Sequence, residues 1–166
     1  MSLARAFHEP LTVVAPLLHI GFAVLALADS GTLFNSDPVA SYSFAALSLT
    51  LLFGGTVLQF YRRPDGPLIA LTLGLHVPSY ILAHAGVYRG FGLLSGGEAV
   101  YPETATAVYF SIVTITTLGY GDFSPRPELQ FLAAVQAITG LLVFGVFVGL
   151  VVHQLGKSSD VVRPQR

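Results

Sequence analysis

Four long apolar segments alternate with polar connections along the 166-residue chain. The segments are Leu11–Ala28, Val39–Phe60, Leu68–Val87 and Leu129–Leu155, and none of them contains a charged residue. A helix needs about 20 apolar residues to cross the hydrocarbon core of a bilayer. The first segment is marginal in length, the next two are sufficient, and the last can cross with a tilt. The pattern therefore predicts four transmembrane helices.

The connections between these segments differ in length. Asn35–Pro38 and Arg62–Pro67 are rich in proline, glycine and short polar residues, which favour tight turns between helices. The connection before the last segment, Tyr88–Glu128, is much longer and contains a short apolar stretch, Ala105–Ile115. This stretch is too short to span a bilayer. We therefore expect it to form a re-entrant helix.

The composition supports a membrane protein. Hydrophobic residues make up 53% of the chain, charged residues make up 10%, and the mean hydropathy is +0.70, whereas soluble domains carry about 25% charged residues. The net charge of −1 and the lack of a basic tract give no indication of a nucleic-acid partner. The chain has no cysteine, which excludes disulfides, thiolate metal sites and cysteine catalysis.

The basic residues orient the predicted helices, because Lys and Arg are enriched in cytoplasmic connections. With both termini in the cytoplasm, most basic residues lie inside: Arg5, Arg62, Arg63, Lys157, Arg163 and Arg166. Only Arg89 and Arg126 then lie outside. The outer side also carries acidic residues that attract cations, namely Asp29, Asp37, Glu98, Glu103, Asp122 and Glu128. We expect an integral protein of the cell membrane with cytoplasmic termini.

The N-terminal segment allows a second interpretation. Arg5, the apolar run and Ala26–Ala28 before Asp29 resemble a cleavable signal peptide. The run also contains Pro16 and His19, which favours a retained helix. Cleavage would leave the remaining topology unchanged, because the second helix would still enter the membrane from outside.

The stretch "TITTLGYGDFSP", Thr114–Pro125, places two glycines close together in this apolar chain. Gly119 and Gly121 tolerate positive φ angles, so the backbone can alternate its hand and aim successive carbonyl oxygens in one direction. Irregular backbone at membrane depth survives only where it is buried or lines a water-filled path. The carbonyls from Thr117 to Tyr120, with the Thr117 hydroxyl, could then replace the hydration shell of a cation. One strand cannot surround an ion, so about four copies in a symmetric oligomer are required.

These residues carry a resemblance to a known family. The pentapeptide Thr117–Gly121 resembles the selectivity filter of potassium channels, with Leu118 where many members have Val or Ile. The paired threonine Thr116, the following Asp122 and Pro125 extend the match. The resemblance implies potassium ions coordinated in a homotetramer by Thr117, Leu118, Gly119 and Tyr120, with Gly121 completing the filter.

The segment before the filter resembles the family's pore helix. Pro102-Glu103-Thr104 supplies a helix start, with proline suited to the first turn and Glu103 at the positive end of the helix dipole. Tyr109-Phe110 stands in the place of the family's aromatic pair, and Tyr109 can donate a hydrogen bond to Asp122. Val113 stands where some bacterial relatives carry a glutamate that bonds the aspartate. The resemblance therefore names Thr116, Asp122, Tyr109 and Val113 as the support of the filter.

The last apolar segment resembles the pore-lining helix. Gly140 lies near the position of the family's hinge glycine, although Gly140, Gly145 and Gly149 are equally suited to close helix packing. Phe144, Val148 and Val152 recur every four residues and form an apolar stripe. This stripe could close the cytoplasmic mouth as a hydrophobic gate. It could equally face lipid or a neighbouring helix.

The stimulus that opens such a gate is not encoded in a recognisable way. A voltage sensor needs a series of basic residues within a span, and the first three segments contain none. His153 is a candidate for a pH response. A metal or haem site built from His19, His76 and His84 is a rival hypothesis, which the spacing of His76 and His84, roughly 80° apart around a helix, disfavours.

The sequence thus predicts an all-α membrane protein with four transmembrane helices, a re-entrant pore helix and a filter loop. Residues 1–63 would form a two-helix hairpin outside the pore module, residues 66–157 the pore module with an outer helix kinked at Pro78, and residues 158–166 a short tail. We expect a homotetramer that passes potassium passively, with no enzymatic activity and no cofactor. The alternatives are a non-conducting or regulatory subunit and a weakly selective cation channel.

Overall fold

The computed structural model describes residues 10–34, 37–62 and 66–161. Six α-helices, one short 3₁₀ helix and three short strands follow one another in this part of the chain. In order they are α1 Pro10–Ala28, α2 Ser30–Phe34, α3 Pro38–Arg62, α4 Gly66–Phe91, β1 Leu93–Ser95, β2 Glu98–Val100, α5 Thr104–Ile115, β3 Ser124–Pro125, the 3₁₀ helix Pro127–Leu129 and α6 Gln130–Val161.

Three of the helical stretches are long and apolar enough to cross a membrane: Pro38–Val57, Ile69–Phe91 and Pro127–His153. The apolar stretch Pro16–Ala28 of α1 is shorter, so a fourth span remains a prediction. Helix α5, with 12 residues, is the short helix that the sequence predicts before the filter.

The prediction of an all-α fold is wrong in one region, because three short strands form a small antiparallel sheet in the order β2-β1-β3. Leu93 pairs with Val100 on one side and with Pro125 on the other. Gly96 and Gly97 adopt positive φ angles in the turn between β1 and β2. The sheet connects the end of α4 to the segment after the filter. Strands of two or three residues are too short to give a recognisable alternation.

Two helices extend beyond the apolar segments. Helix α6 continues through Val161, past the last apolar segment, which ends at Leu155. A short helix, Ser30–Phe34, lies between the first and second apolar segments, before the predicted turn Asn35–Pro38. The turn sequences Asn35–Pro38 and Arg62–Pro67 and the basic residues Arg5, Arg163 and Arg166 lie partly or wholly outside the described residues.

Helices α1 and α3 both pack against α4 in the described part of the chain. Gly86 allows α1 to approach closely, because a Cβ there would lie 2.7 Å from the Ala26 carbonyl oxygen. Polar groups join the same helices. The Nδ1 atoms of His19 and His76 are 3.0 Å apart, and His19 Nε2 is 2.8 Å from Ser48 Oγ. Interhelical polar contacts of this kind hold membrane helices in register.

The core next to the filter joins α4, α5 and α6. Tyr88 and Phe110 meet edge to face, with ring centroids 4.8 Å apart, and Leu129 and Leu132 belong to the same buried cluster. Aromatic pairs in this geometry stabilise a core beyond the area that they bury. The pore helix is therefore held from behind by both long helices of the predicted pore module.

Candidate functional site

Helix α5, the predicted pore helix, begins at Thr104, two residues after the proline that the sequence places in its first turn. Glu103 is the N-cap residue, with extended backbone angles and no capping hydrogen bond from its side chain, and Pro102 precedes it. We expected Pro102 in the first turn of the helix. Instead, it lies just before the helix. At the other end, the backbone N–H of Thr116 donates to the carbonyl of Ile112 over 3.0 Å and closes the helix.

The strand that follows has an alternating backbone. Thr117, Gly119 and Gly121 have φ angles of 59°, 55° and 82°. The two glycines predict a positive φ angle at every second residue. Thr117 continues this alternation two residues before Gly119. A β-branched residue rarely adopts positive φ, so surrounding contacts must hold Thr117 in place. Backbone of this kind at functional sites is characteristic of strained, pre-organised loops.

The base of this strand is attached to the end of the pore helix. The N–H of Leu118 donates to the Val113 carbonyl over 3.0 Å, and the N–H of Thr117 donates to the Thr114 carbonyl over 3.1 Å. The sequence names Val113 as a residue that supports the filter. Its contact with the filter strand is made by its backbone carbonyl. The Thr117 hydroxyl donates to the Thr116 carbonyl over 2.7 Å. Any movement of the pore helix consequently moves the first filter residues.

The outer end of the strand has a separate contact. The Tyr109 hydroxyl donates to Asp122 Oδ2 over 2.8 Å, and the ring of Tyr109 is parallel to that of Tyr120, with centroids 6.4 Å apart. The hydrogen bond to Asp122 raises the pKa of Tyr109 above its ordinary value. The phenol therefore stays protonated, and the contact intact, up to a more alkaline pH than an isolated tyrosine would allow.

Three buried polar residues behind the filter did not emerge from the sequence. The Tyr88 hydroxyl donates to Gln136 Oε1 over 2.7 Å, and Gln136 Nε2 donates to Ser111 Oγ over 2.8 Å and to the Ser111 carbonyl over 3.3 Å. Ser111 Oγ donates in turn to the Ile81 carbonyl over 2.8 Å. All three side chains are fully buried. A polar residue inside an uncharged apolar helix was the available signal, because such a residue needs partners.

Gly140 of α6 lies against the end of the pore helix. A Cβ at this position would overlap the carbonyl of Ile115. Of the two roles that the sequence allows for Gly140, close helix packing is therefore observed. A hinge role stays a prediction. For Gly145 and Gly149, no described atom of the chain lies within 4 Å of a Cβ position.

The apolar stripe of α6 is uncovered in the single chain. Phe144, Val148 and Val152 are 67%, 42% and 63% exposed. Phe144 also lines an apolar cleft of about 760 Å³ between α4 and α6, with Leu73, Val77, Ile81 and Ile115 among its walls. The stripe is available to a pore, to lipid or to another copy of the chain, so its role as a gate remains a prediction.

The three membrane histidines do not form the shared metal site of the rival hypothesis. His19 contacts His76, whereas His84 Nδ1 lies 3.0 Å from the carbonyl of Tyr80 on its own helix. Across the described ranges, no group of three His, Asp or Glu side chains is arranged to hold a metal ion. His153 is exposed on α6.

Comparison with known proteins finds a family model that matches part of the chain. The sequence model of a family described as "Ion channel" matches residues 78–157, which include the pore helix, the filter strand and most of α6. No solved structure matches the chain at a significant level.

Curated relatives carry the same assignment in their names. "Two pore potassium channel a" and "Two pore potassium channel b" of Oryza sativa subsp. japonica are 31% and 29% identical over 60% and 68% of this chain, and "Probable potassium channel protein 2" of Methanocaldococcus jannaschii is 39% identical over 35% of it. The chain covers 28%, 30% and 18% of their respective lengths. None of these names describes an enzyme. Over residues 78–157, just under half of its length, the chain is therefore similar to the ion channel family, and the curated relatives that it matches are named potassium channels.

Proposed function

We propose that this chain forms a potassium-selective channel that conducts passively through a homotetrameric pore. The observation that carries the proposal is the backbone of the filter strand, in which Thr117, Gly119 and Gly121 alternate with residues of ordinary φ. This alternation allows the carbonyls of residues 117–120 to face one axis. A ring of such carbonyls can take the place of the water around a potassium ion.

The exposure of the filter strand indicates that several copies of the chain are needed. Leu118 and Tyr120 are 57% and 67% exposed in the single chain, next to backbone carbonyls of the filter strand. Polar backbone cannot face lipid at membrane depth. Further copies of the chain around a fourfold axis would cover the strand and complete the ion sites, and the uncovered faces of α6 would meet in the same assembly.

The membrane arrangement is part of the proposal. Four spans, with α1 as the first, return the chain to its starting side and leave the filter facing outward. Both termini are then cytoplasmic, in the cell membrane. The packing of α1 and α3 on α4 supports an N-terminal pair of helices outside the pore.

Flux through the purified protein in liposomes tests the proposal. Vesicles are loaded with K⁺ or with Na⁺, and efflux is followed after a proton carrier is added, so that proton entry compensates the charge that leaves with the cation. We expect K⁺ flux to exceed Na⁺ flux strongly. Equal fluxes would identify a weakly selective cation channel, and no flux of either ion would identify a non-conducting subunit; each result would overturn the proposal.

A further inference from the structure

Gln136 occupies an unusual place for an amide side chain, because it lies in the second turn of the apolar helix α6 and is fully buried. A buried amide that lacks partners is costly, so its contacts must be complete to be favourable. Its Nε2 group donates two hydrogen bonds, to the hydroxyl and the carbonyl of Ser111, and its Oε1 atom accepts one from Tyr88. Both amide donors and the amide oxygen are therefore satisfied.

The contacts of Gln136 join three different helices. Ser111 belongs to the pore helix, Tyr88 to α4, and Ser111 also donates to the Ile81 carbonyl of α4. Networks in which every buried polar group has a partner fix one arrangement of the surrounding elements. The pore helix is thus tied from behind to both long helices of the pore domain.

The same helix carries the base of the filter. Two residues after Ser111, the carbonyl of Val113 accepts the N–H of Leu118. A continuous path of hydrogen bonds and helical backbone therefore runs from Gln136 through Ser111 and Val113 to Leu118. A shift of the pore helix would move the carbonyls that are proposed to contact the ion.

We infer that Gln136, with Ser111 and Tyr88, is a positioning group that sets ion discrimination by holding the pore helix and the base of the filter at a fixed distance from α6. We call these three residues the inner attachment. This inference rests on the proposed function, because discrimination can be measured only in a conducting pore. The side chain at position 113 of the pore helix is an apolar valine, not a carboxylate. The inner attachment supplies polar support through Ser111, which lies about 200° around the helix from Val113.

The variant Gln136→Leu tests the inference in the full-length protein. Leucine is similar in size to glutamine but has no polar atoms, so it removes all three hydrogen bonds and leaves groups of Ser111 and Tyr88 unpaired. We expect the ratio of Na⁺ flux to K⁺ flux in liposomes to rise about tenfold, on the scale of one or two buried hydrogen bonds. The matched control is Thr139→Val, one turn further along α6, where the hydroxyl donates to the Val135 carbonyl of its own helix over 2.8 Å, accepts a longer bond of 3.5 Å from the Tyr80 hydroxyl of α4, and contacts no described residue of α5 by a hydrogen bond. The control should keep the wild-type ratio.

A double-mutant cycle shows whether Gln136 acts through Ser111. Ser111→Ala alone should raise the flux ratio about threefold. Because both changes break the same contact, the double variant should match Gln136→Leu rather than add to it. Additive effects would overturn the proposed path. If Gln136→Leu does not assemble, Ser111→Ala decides the inference on its own, and an unchanged ratio in that variant would contradict it.

Amide hydrogen exchange gives a readout that does not need ion flux. We expect faster exchange at Thr117 and Leu118 in Gln136→Leu than in the wild type or in Thr139→Val, because their bonds to the pore helix open more often. Unchanged exchange with an unchanged flux ratio would refute the inference. A wild-type protein that conducts K⁺ and Na⁺ equally would refute the proposed function alone, and the exchange rates would still decide the role of Gln136.

Discussion

Two sets of contacts hold the filter strand, and they differ in exposure and in the number of hydrogen bonds. The inner attachment is fully buried and connects three helices. The outer attachment, the single bond between Tyr109 and Asp122, lies at the exposed mouth, where water can replace either partner. Hydrogen bonds that leave unpaired groups in the interior cost more to break than those that water can replace. The difference indicates that the base of the filter is held more firmly than its mouth.

The largest effect on ion discrimination is expected from a change in the backbone of the filter strand itself. In Gly119→Ala, apart from the adjacent residues, no described atom of the same chain lies within 4 Å of the new Cβ, so the strain within the chain comes from the φ angle of 55°. A side chain at positive φ costs about 1–2 kcal/mol. We expect the variant to form the oligomer but to lose K⁺ over Na⁺ discrimination in the liposome flux assay.

Gly96→Ala is a matched control for this prediction. Gly96 has a φ angle of 59° and equally open surroundings, but it lies in the turn between β1 and β2. The same backbone strain should therefore leave discrimination intact. Loss of discrimination in both variants would mean that general instability, and not the filter, accounts for the result.

A smaller effect is expected where α6 meets the end of the pore helix. Gly140→Ala places a Cβ onto the Ile115 carbonyl, which must push the two helices apart beside the inner attachment. Overpacking of this kind typically costs about 1–3 kcal/mol. We expect a lower midpoint of thermal unfolding and a moderate loss of discrimination.

Gly145→Ala is the control, because its Cβ position is open in the described chain. If Gly140 served only as a hinge, Gly140→Ala would reduce opening, measured as total K⁺ flux, without lowering the unfolding midpoint. That result would contradict the packing role.

The outer attachment should matter less. Tyr109→Phe keeps the ring beside Tyr120 and removes only the hydroxyl that donates to Asp122. Because the bond is exposed, we expect the ratio of Na⁺ to K⁺ flux to rise about threefold or less. Asp122→Asn, which keeps a hydrogen-bond acceptor, should have a weaker effect still. A larger effect than that of Gln136→Leu would reverse the ranking of the two attachments.

The N-terminal helices provide the smallest expected effect on discrimination. His19→Leu removes the contacts of His19 with His76 and Ser48 between α1, α3 and α4. Buried polar groups left without partners cost about 1–3 kcal/mol, so the unfolding midpoint should fall. The flux ratio should stay at the wild-type value, because the hydrogen bonds of this cluster among the described residues join α1, α3 and α4 but not α5. A changed ratio would place the cluster in the support of the filter.

The two attachments also show what could be predicted from the sequence. The outer one involves residues of a recognisable local motif, Tyr109 and Asp122, thirteen positions apart. The inner one joins residues 88, 111 and 136, whose proximity depends on how three helices pack. Hydropathy indicates which segments are apolar, but it does not give the rotation of one helix against another. The contact between His19 and His76 was missed for the same reason, whereas the short sheet was missed because strands of two or three residues give no recognisable alternation.

The measurement that tests the central claim most directly is the reversal potential of the wild-type protein in a planar bilayer, with K⁺ on one side and Na⁺ on the other. A selective filter predicts a current that reverses far from zero, on the side set by the K⁺ gradient. A reversal potential near zero in the presence of clear channel currents would show that the Thr117–Gly121 strand does not discriminate between the two ions, and would contradict the account.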